Sequence, residues 1–326
     1  MDFFTNVVVA TLVMGTSLTF ATIGEIFTEK AGILNLGMEG MMLLGALSGF
    51  ATVFYSGSLL FGILVGMFAG VFLALIHAFL SINMRASQVV SGLAVTMFGT
   101  GLANFLGYRL GPAPSFNLVG MNLPVKFNAI IVPFLSDIPV FGGLFRVSIL
   151  TYFMYALIPF AWYFMYRTKY GLALRAVGEN PRTAAAMGIN VNKTRYIYTL
   201  IGGAFAGLGG ACISLYHTPS WNENMTGGKG WIVIALVIFS GWNPAKAIIG
   251  TFVFGGIMQL QFAIQAYNGS SAFMAGLKSI PGQFFGMAPY LITFLVLAIM
   301  TVISSLQHKQ FSSPSALCTS FAIDDK

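Results

Sequence analysis

The sequence is poor in charge. Of its 326 residues only 8% are Asp, Glu, Lys or Arg, against roughly 25% in a soluble globular domain, and just nine are acidic. A soluble helical core needs a polar outer face, and this chain lacks the residues to build one. Cysteine is scarce too. Cys212 sits in an apolar run and Cys318 in a polar tail, a distribution that suggests neither a disulfide framework nor a metal site. No Gly-rich loop ends in Gly-Lys-Ser or Gly-Lys-Thr, and Gly227-Gly228-Lys229-Gly230 is not one, so ATPase chemistry on this chain is not expected. The first apolar run begins after Met1 and Asp2 without a basic leader or a small-residue cleavage site, and it is not read as a removable signal peptide.

What is present is apolar: 57% of the residues, including 31 Phe, with 38 Gly spread among them and a mean hydropathy of +0.83. This composition predicts an all-α fold, a polytopic transmembrane helical bundle. A hydrocarbon core about 30 Å thick needs roughly 20 residues of helix. Residues 3–23, 33–55, 59–80, 89–106, 147–165, 196–216, 247–266 and 284–306 come close to that measure. The apolar run 231–240 has only ten residues and covers about 15 Å, so its helix must be broken, re-entrant or shielded by protein. The expected total is about 8 to 10 membrane segments. Residues 107–146, interrupted by Pro112, Pro124 and Pro133, should lie outside the core or only shallowly in it, with one short helix. The membrane domain is thus 1–306, carrying a charged loop at 166–195, and the polar tail 307–326 is expected to be disordered.

The net charge of +7 is a topology signal, not a nucleic-acid footprint, because the bases cluster at the ends of the apolar runs. If the 166–195 loop is cytoplasmic, alternation puts 11 of the 16 bases inside and leaves Arg109, Lys126, Arg146, Lys229 and Lys278 on the other side. The expectation is an outside N-terminus and a cytoplasmic C-terminus.

Three constellations stand out. In Gly178-Glu179-Asn180-Pro181-Arg182-Thr183-Ala184-Ala185-Ala186-Met187-Gly188, Asn180 can cap a short helix, Pro181 fits its first position and Gly188 can end it. Such a helix is an ordinary connector or a solid knob for a cytoplasmic partner. Next, Asn35 and Glu39 open the second span, and Glu39 reads as the only acid well inside an apolar run. A charge at a helix centre costs roughly 2.5 to 3.5 kcal/mol, so Glu39 is a structural clamp, a proton acceptor or a gating contact. Finally, Asn222, Glu223, Asn224 and Thr226 precede the half-length run that begins near Trp231, either as a flexible outer loop or as the N-terminus of a helix set in mid-membrane. Glycines 202, 203, 207, 209 and 210 permit close packing of the sixth span.

Three motifs carry a family likeness. They are Phe27-Thr28-Glu29-Lys30-Ala31-Gly32-Ile33-Leu34-Asn35-Leu36-Gly37-Met38-Glu39-Gly40-Met41-Met42, the stretch from Gly178 to Gly188, and Met225-Thr226-Gly227-Gly228-Lys229-Gly230 leading to Gly241-Trp242-Asn243-Pro244. Together they resemble the permease subunits of ABC importers, in the branch for simple sugars, nucleosides and branched-chain amino acids, and look closest to nucleoside permeases. The resemblance implies a bacterial inner-membrane protein with no enzyme activity of its own. It also implies a cytoplasmic ATP-binding subunit holding ATP and Mg, a second homologous permease and an extracytoplasmic solute-binding protein, often a lipoprotein. No cofactor or metal on this chain is implied. Glu179, Asn180, Pro181, Arg182, Thr183, Ala184, Ala185 and Gly188 match the family's coupling segment, while Asn35, Glu39, Asn224, Thr226 and Trp231 are expected along the substrate path or its gate. Competing readings are a secondary transporter driven by an ion gradient and a non-transporting membrane scaffold.

Overall fold

The computed structural model describes residues 3–112, 118–138, 141–266, 276–278, 280–307 and 313–321. Eleven helices order the described chain: α1 (Phe3–Lys30), α2 (Met38–Ser56), α3 (Leu59–Ala78), α4 (Gln88–Arg109), α5 (Ile149–Arg167), α6 (Lys169–Glu179), α7 (Pro181–Ala186), α8 (Val191–Cys212), α9 (Lys229–Phe239), α10 (Pro244–Ala266) and α11 (Gly282–Gln307). Single π-helical turns, Phe79–Asn83 and Ile213–His217, extend α3 and α8. Among the described residues, seven helices are long and apolar enough to cross a membrane, and two shorter apolar segments, Lys229–Phe239 and Phe284–Leu295, add to them. The chain is therefore a multi-pass helical bundle with a half-length helix in it.

Local chemistry starts many of these helices. Ser58, Ser87, Ser148, Thr168, Asn180 and Asn190 each accept a hydrogen bond from a backbone N–H in the turn they open, satisfying one of the donors a helix leaves orphaned. Gly57, at φ +69, closes α2. α8 forms the hub, pressed on by α1, α2 and α3 at glycines. A Cβ on Gly45 would lie 2.5 Å from the Gly207 carbonyl oxygen, and one on Gly24 would lie 2.6 Å from Phe205 Cβ. The small residues let backbones touch where apolar burial gives no drive in lipid.

Four expectations need correction. α1 does not stop at 23; it runs to Lys30 and carries Glu25 and Glu29 buried inside it, so Glu39 is not the only interior acid. Residues 33–37 are irregular, not the start of a span. Gln88 Oε1 accepts from Leu34 N at 2.7 Å, His77 Nε2 donates to Leu34 O at 3.1 Å and Thr96 Oγ1 donates to Leu36 O at 2.7 Å, which satisfies non-helical backbone inside the protein. The 107–146 region holds two 3-10 turns, Leu135–Asp137 and Phe141–Phe145, with a two-residue antiparallel pair, β1 (Ile130–Ile131) and β2 (Arg146–Val147); its residues 113–117 and 139–140 lie outside the described residues.

The fourth concerns the tail. Residues 308–312 and 322–326, including Lys309 and Lys326, lie outside the described residues, but 313–321 is packed against the bundle. Ala316 N donates to Gly178 O at 2.9 Å, Arg195 Nη1 donates to Thr319 O at 3.0 Å, and Phe321 is buried with Val177, Ala184 and Val191. These contacts supply the burial that the polar composition concealed.

Candidate functional site

The half-length helix α9 begins at Gly228, which has a left-handed backbone (φ +80) and no side chain to cap with. The cap comes from another helix. Glu39, in the first turn of α2, turns one carboxylate oxygen to Thr226 Oγ1 (2.6 Å) and Gly228 N (2.9 Å) and the other to Gly230 N (2.6 Å). Two helix N-termini thus converge on one carboxylate, where their dipoles favour negative charge. Gly230 is required here: its Cβ would overlap Glu39 N. On the opposite flank, a Cβ on Gly40 would stand 2.8 Å from Val95 O of α4. With three donors aimed at it and only 8% of its surface exposed, Glu39 has the geometry of a clamp.

Two more acids hold the same assembly. Glu25 accepts from Asn35 N at 3.3 Å and from Asn35 Nδ2 at 3.2 Å, while Asn35 Oδ1 accepts from Gly37 N at 3.0 Å. Glu29 accepts from Trp242 Nε1 at 2.5 Å. This last bond fixes the far end of α9 to the last turn of α1, whose Lys30 carbonyl abuts Gly178 at the end of α6. The 11 residues of α9 rise about 16 Å, which sets the Glu39 junction roughly half a hydrocarbon core away from that end. Of the polar segment leading into α9, Thr226, Gly228 and Gly230 meet Glu39, while Asn222, Glu223 and Asn224 are exposed.

Glu39 and Thr226 are brought together, whereas Asn35 bonds Glu25 instead, and all three are buried. Asn224 lies to the side with a positive φ of 50 and pairs with Asn104 of α4, whose Nδ2 donates to Asn224 Oδ1 at 3.0 Å. Trp231 is exposed. Lys229 sits at the α9 N-terminus with Nζ donating to Thr226 O at 2.9 Å and Met225 O at 3.3 Å.

Beside the junction opens a cavity of about 390 Å³, lined in part by Met14, His217, Asn222, Lys229, Phe285 and Tyr290. His217 Nε2 lies 2.7 Å from Gln259 Nε2, and Tyr290 Oη donates to Gly227 O at 3.2 Å. His217, Gln259, Tyr290 and Asn104 escaped the sequence reading. The available signal was polarity within or beside an apolar run, which marks intramembrane residues turned away from lipid.

At the basic end, Asn180 Oδ1 accepts from Thr183 N at 3.0 Å, Pro181 occupies the first turn of α7, and Gly188 takes φ +82. The expected short helix is there, preceded by a second one, α6, that was not anticipated. Ala184 of α7 is buried and Ala185 half-buried against the chain's own Val177 and Val191. Arg182, Thr183, Ala186 and Met187 form the free face, Met187 at 79% exposure.

Residues 7–304 match the family described as branched-chain amino acid transport system / permease component. A putative glucose ABC transporter permease protein of Haloferax volcanii is 37% identical over 98% of both chains. A nucleoside ABC transporter permease protein of Lactococcus lactis is 34% identical over 88% of this chain and 90% of its own, and a guanosine ABC transporter permease protein of Bacillus subtilis is 33% identical over 89% and 90%. No solved structure matches. With the family match covering nearly the whole helical bundle, the chain belongs to the branched-chain amino acid transport system permease family, the membrane-spanning subunits of ABC transporters.

Proposed function

We propose that this chain is the permease subunit of an ATP-driven importer for nucleosides or related small solutes such as simple sugars, in a bacterial inner membrane. It works beside a second permease, a cytoplasmic subunit that binds ATP and Mg and supplies hydrolysis, and an extracytoplasmic solute-binding protein. The observation that carries the reading is α7: a capped helix with a free face of Arg182, Thr183, Ala186 and Met187, joined through Gly188 to the hub helix α8. Closure of the ATPase dimer pushes on this face, the rigid α8 carries the movement into the bundle, and the Glu39 junction responds by opening one side of the path or the other. The substrate class rests on the relatives' names, and a cavity of about 390 Å³ with aromatic and amide lining suits a solute of that size. The chain binds and orients; it breaks no bond.

The docking test uses the free face. Met187→Glu and Ala186→Glu should lower ATPase co-elution and ATP-dependent uptake in proteoliposomes by about tenfold, the loss of roughly 1.4 kcal/mol of interface energy, while the melting temperature of the detergent-solubilised chain holds. Ala185→Glu should lower that temperature as well, because Ala185 packs on the chain's own core. Unchanged co-elution and uptake in both free-face variants would remove α7 as the contact.

Orientation has its own test. In a cysteine-free background, Lys126→Cys should react with a membrane-impermeant thiol reagent on intact cells and Arg182→Cys only after permeabilisation, both positions being exposed. The opposite labelling would invert the N-terminus-outside, C-terminus-cytoplasmic topology.

A further inference from the structure

The segment 313–321 is fastened on several sides. At its start, Ser315 N and Oγ donate to Glu179 Oε2 at 3.3 and 2.9 Å, and Ala316 N donates to Gly178 O. On its other flank, the Ala316 carbonyl packs on Gly32, close enough that a Cβ there would lie 3.1 Å from it. Gly32 belongs to the turn between α1 and α2 and precedes Asn35 and Glu39 by three and seven residues. Further on, a left-handed Cys318 (φ +64) bends the chain, Thr319 O receives Arg195 Nη1 from α8, and Phe321 enters the cluster of Val177, Ala184 and Val191 under α7. Ala316 is 5% and Phe321 8% exposed, whereas a tail that merely trails a bundle has no cause to bury its few apolar side chains.

The contacts join the coupling element, α6 and α7, to the turn that leads into the Glu39 junction and also reach α8 at Arg195 and Val191. The bond to Arg195 matters because that side chain is buried and its Nε and Nη2 have no hydrogen-bond partner, leaving Thr319 O as the acceptor that holds its guanidinium among the described residues. Apart from this segment, the end of α6 meets the same turn region through the close contact of Gly178 with Lys30 O.

We propose that residues 313–321 are a positioning strap that ties the α6–α7 element to the α1–α2 turn, so that ATP-driven movement at α7 reaches the Glu39 junction. The proposal rests on the reading of α7 as the ATPase contact. Lying between two sites does not establish coupling; the physical content is a segment fastened at both, whose release leaves docking intact and disconnects the gate. Its signature is uncoupling.

The experiment compares the parent, Ala316→Ser, Ala316→Val, Ala316→Glu and a chain ending at residue 312, each co-expressed with its ATP-binding and second permease subunits and reconstituted with binding protein. ATPase co-elution, ATP hydrolysis and solute uptake are measured on the same preparation. Ala316→Ser should match the parent. Along Val, Glu and truncation, co-elution and hydrolysis should persist while uptake per ATP falls, by at least about fivefold in the last two, the lower range of measured coupling energies. The strap is overturned if the inserted valine and glutamate variants keep the parent ratio. It is equally overturned if they lose ATPase in proportion to uptake, which would make the segment part of the docking surface. A parent that retains no ATPase fails at the first measurement and overturns the importer reading itself.

Discussion

Glu39→Leu should cut uptake by at least an order of magnitude and lower the melting temperature of the purified chain. The carboxylate receives three donors, Thr226 Oγ1, Gly228 N and Gly230 N, and leucine accepts none. Each buried donor left without a partner costs about 1–3 kcal/mol. Thr226 and Gly230 are buried, so their donors are the ones that lose most with the acceptor. The α9 N-terminus then loses its cap and the polar turn before it loses its tether. Glu39→Gln separates geometry from charge. Its amide oxygen can still receive two donors, but its NH2 group faces a backbone N–H where an acceptor stood, so uptake should fall between the parent and the leucine variant. Equal loss in both would assign the role to charge, a gating role. Parental uptake and melting temperature in both would remove Glu39 from the site.

Much of the fold was legible because its causes are local. Apolar run lengths marked the spans, the ten-residue run at 231–240 marked a half-helix, and Asn180, Pro181 and Gly188 marked α7 with its cap, first turn and stop. The misreadings share one physical origin, namely partners remote in sequence. Glu25 and Glu29 looked like the end of a span, but Asn35 and Trp242, the latter 213 positions away, satisfy them inside it. Glu39 and Thr226 were each noticed, yet 187 positions separate them, and no pattern within either motif says that one caps the other's helix. Residues 313–321 read as polar tail because Ala316, Leu317, Cys318 and Phe321 are too few to make a periodic signal. Only the surface already built by α6, α7, α8 and the α1–α2 turn gives Ala316 and Phe321 something to bury against.

The glycines of α8 were read as a packing face, and the structure makes that reading quantitative enough to test by contrast. A Cβ on Gly210 would overlap the Met42 carbonyl oxygen, one on Gly70 would overlap the Gly203 carbonyl oxygen, and one on Gly207 the Gly66 carbonyl oxygen. In each case the obstacle is backbone, which has no rotamer to change; the helices themselves would have to part. Overpacking a well-packed interior typically costs about 1–3 kcal/mol, occasionally more, and here one methyl separates α8 from α2 along a seam that also includes Gly45 on Gly207. Ser214 Oγ, one turn further, donates to Ala46 O at 2.7 Å across the same seam, so the displacement would stretch a buried hydrogen bond too. Gly210→Ala should therefore lower the melting temperature markedly and reduce the yield of monodisperse protein, and Gly210→Val should prevent recovery of the folded chain. Alanine at Gly101 or Gly286, where nothing lies within 4 Å of the added carbon, should be neutral or slightly stabilising, since helix propensity favours Ala over Gly by about 1 kcal/mol. Fluorescence size-exclusion chromatography across a temperature series compares all four substitutions directly. Indistinguishable profiles for Gly210→Ala and Gly101→Ala would mean that α2 and α8 do not touch at this depth, and the hub arrangement that carries α7's movement into the bundle would fall with them.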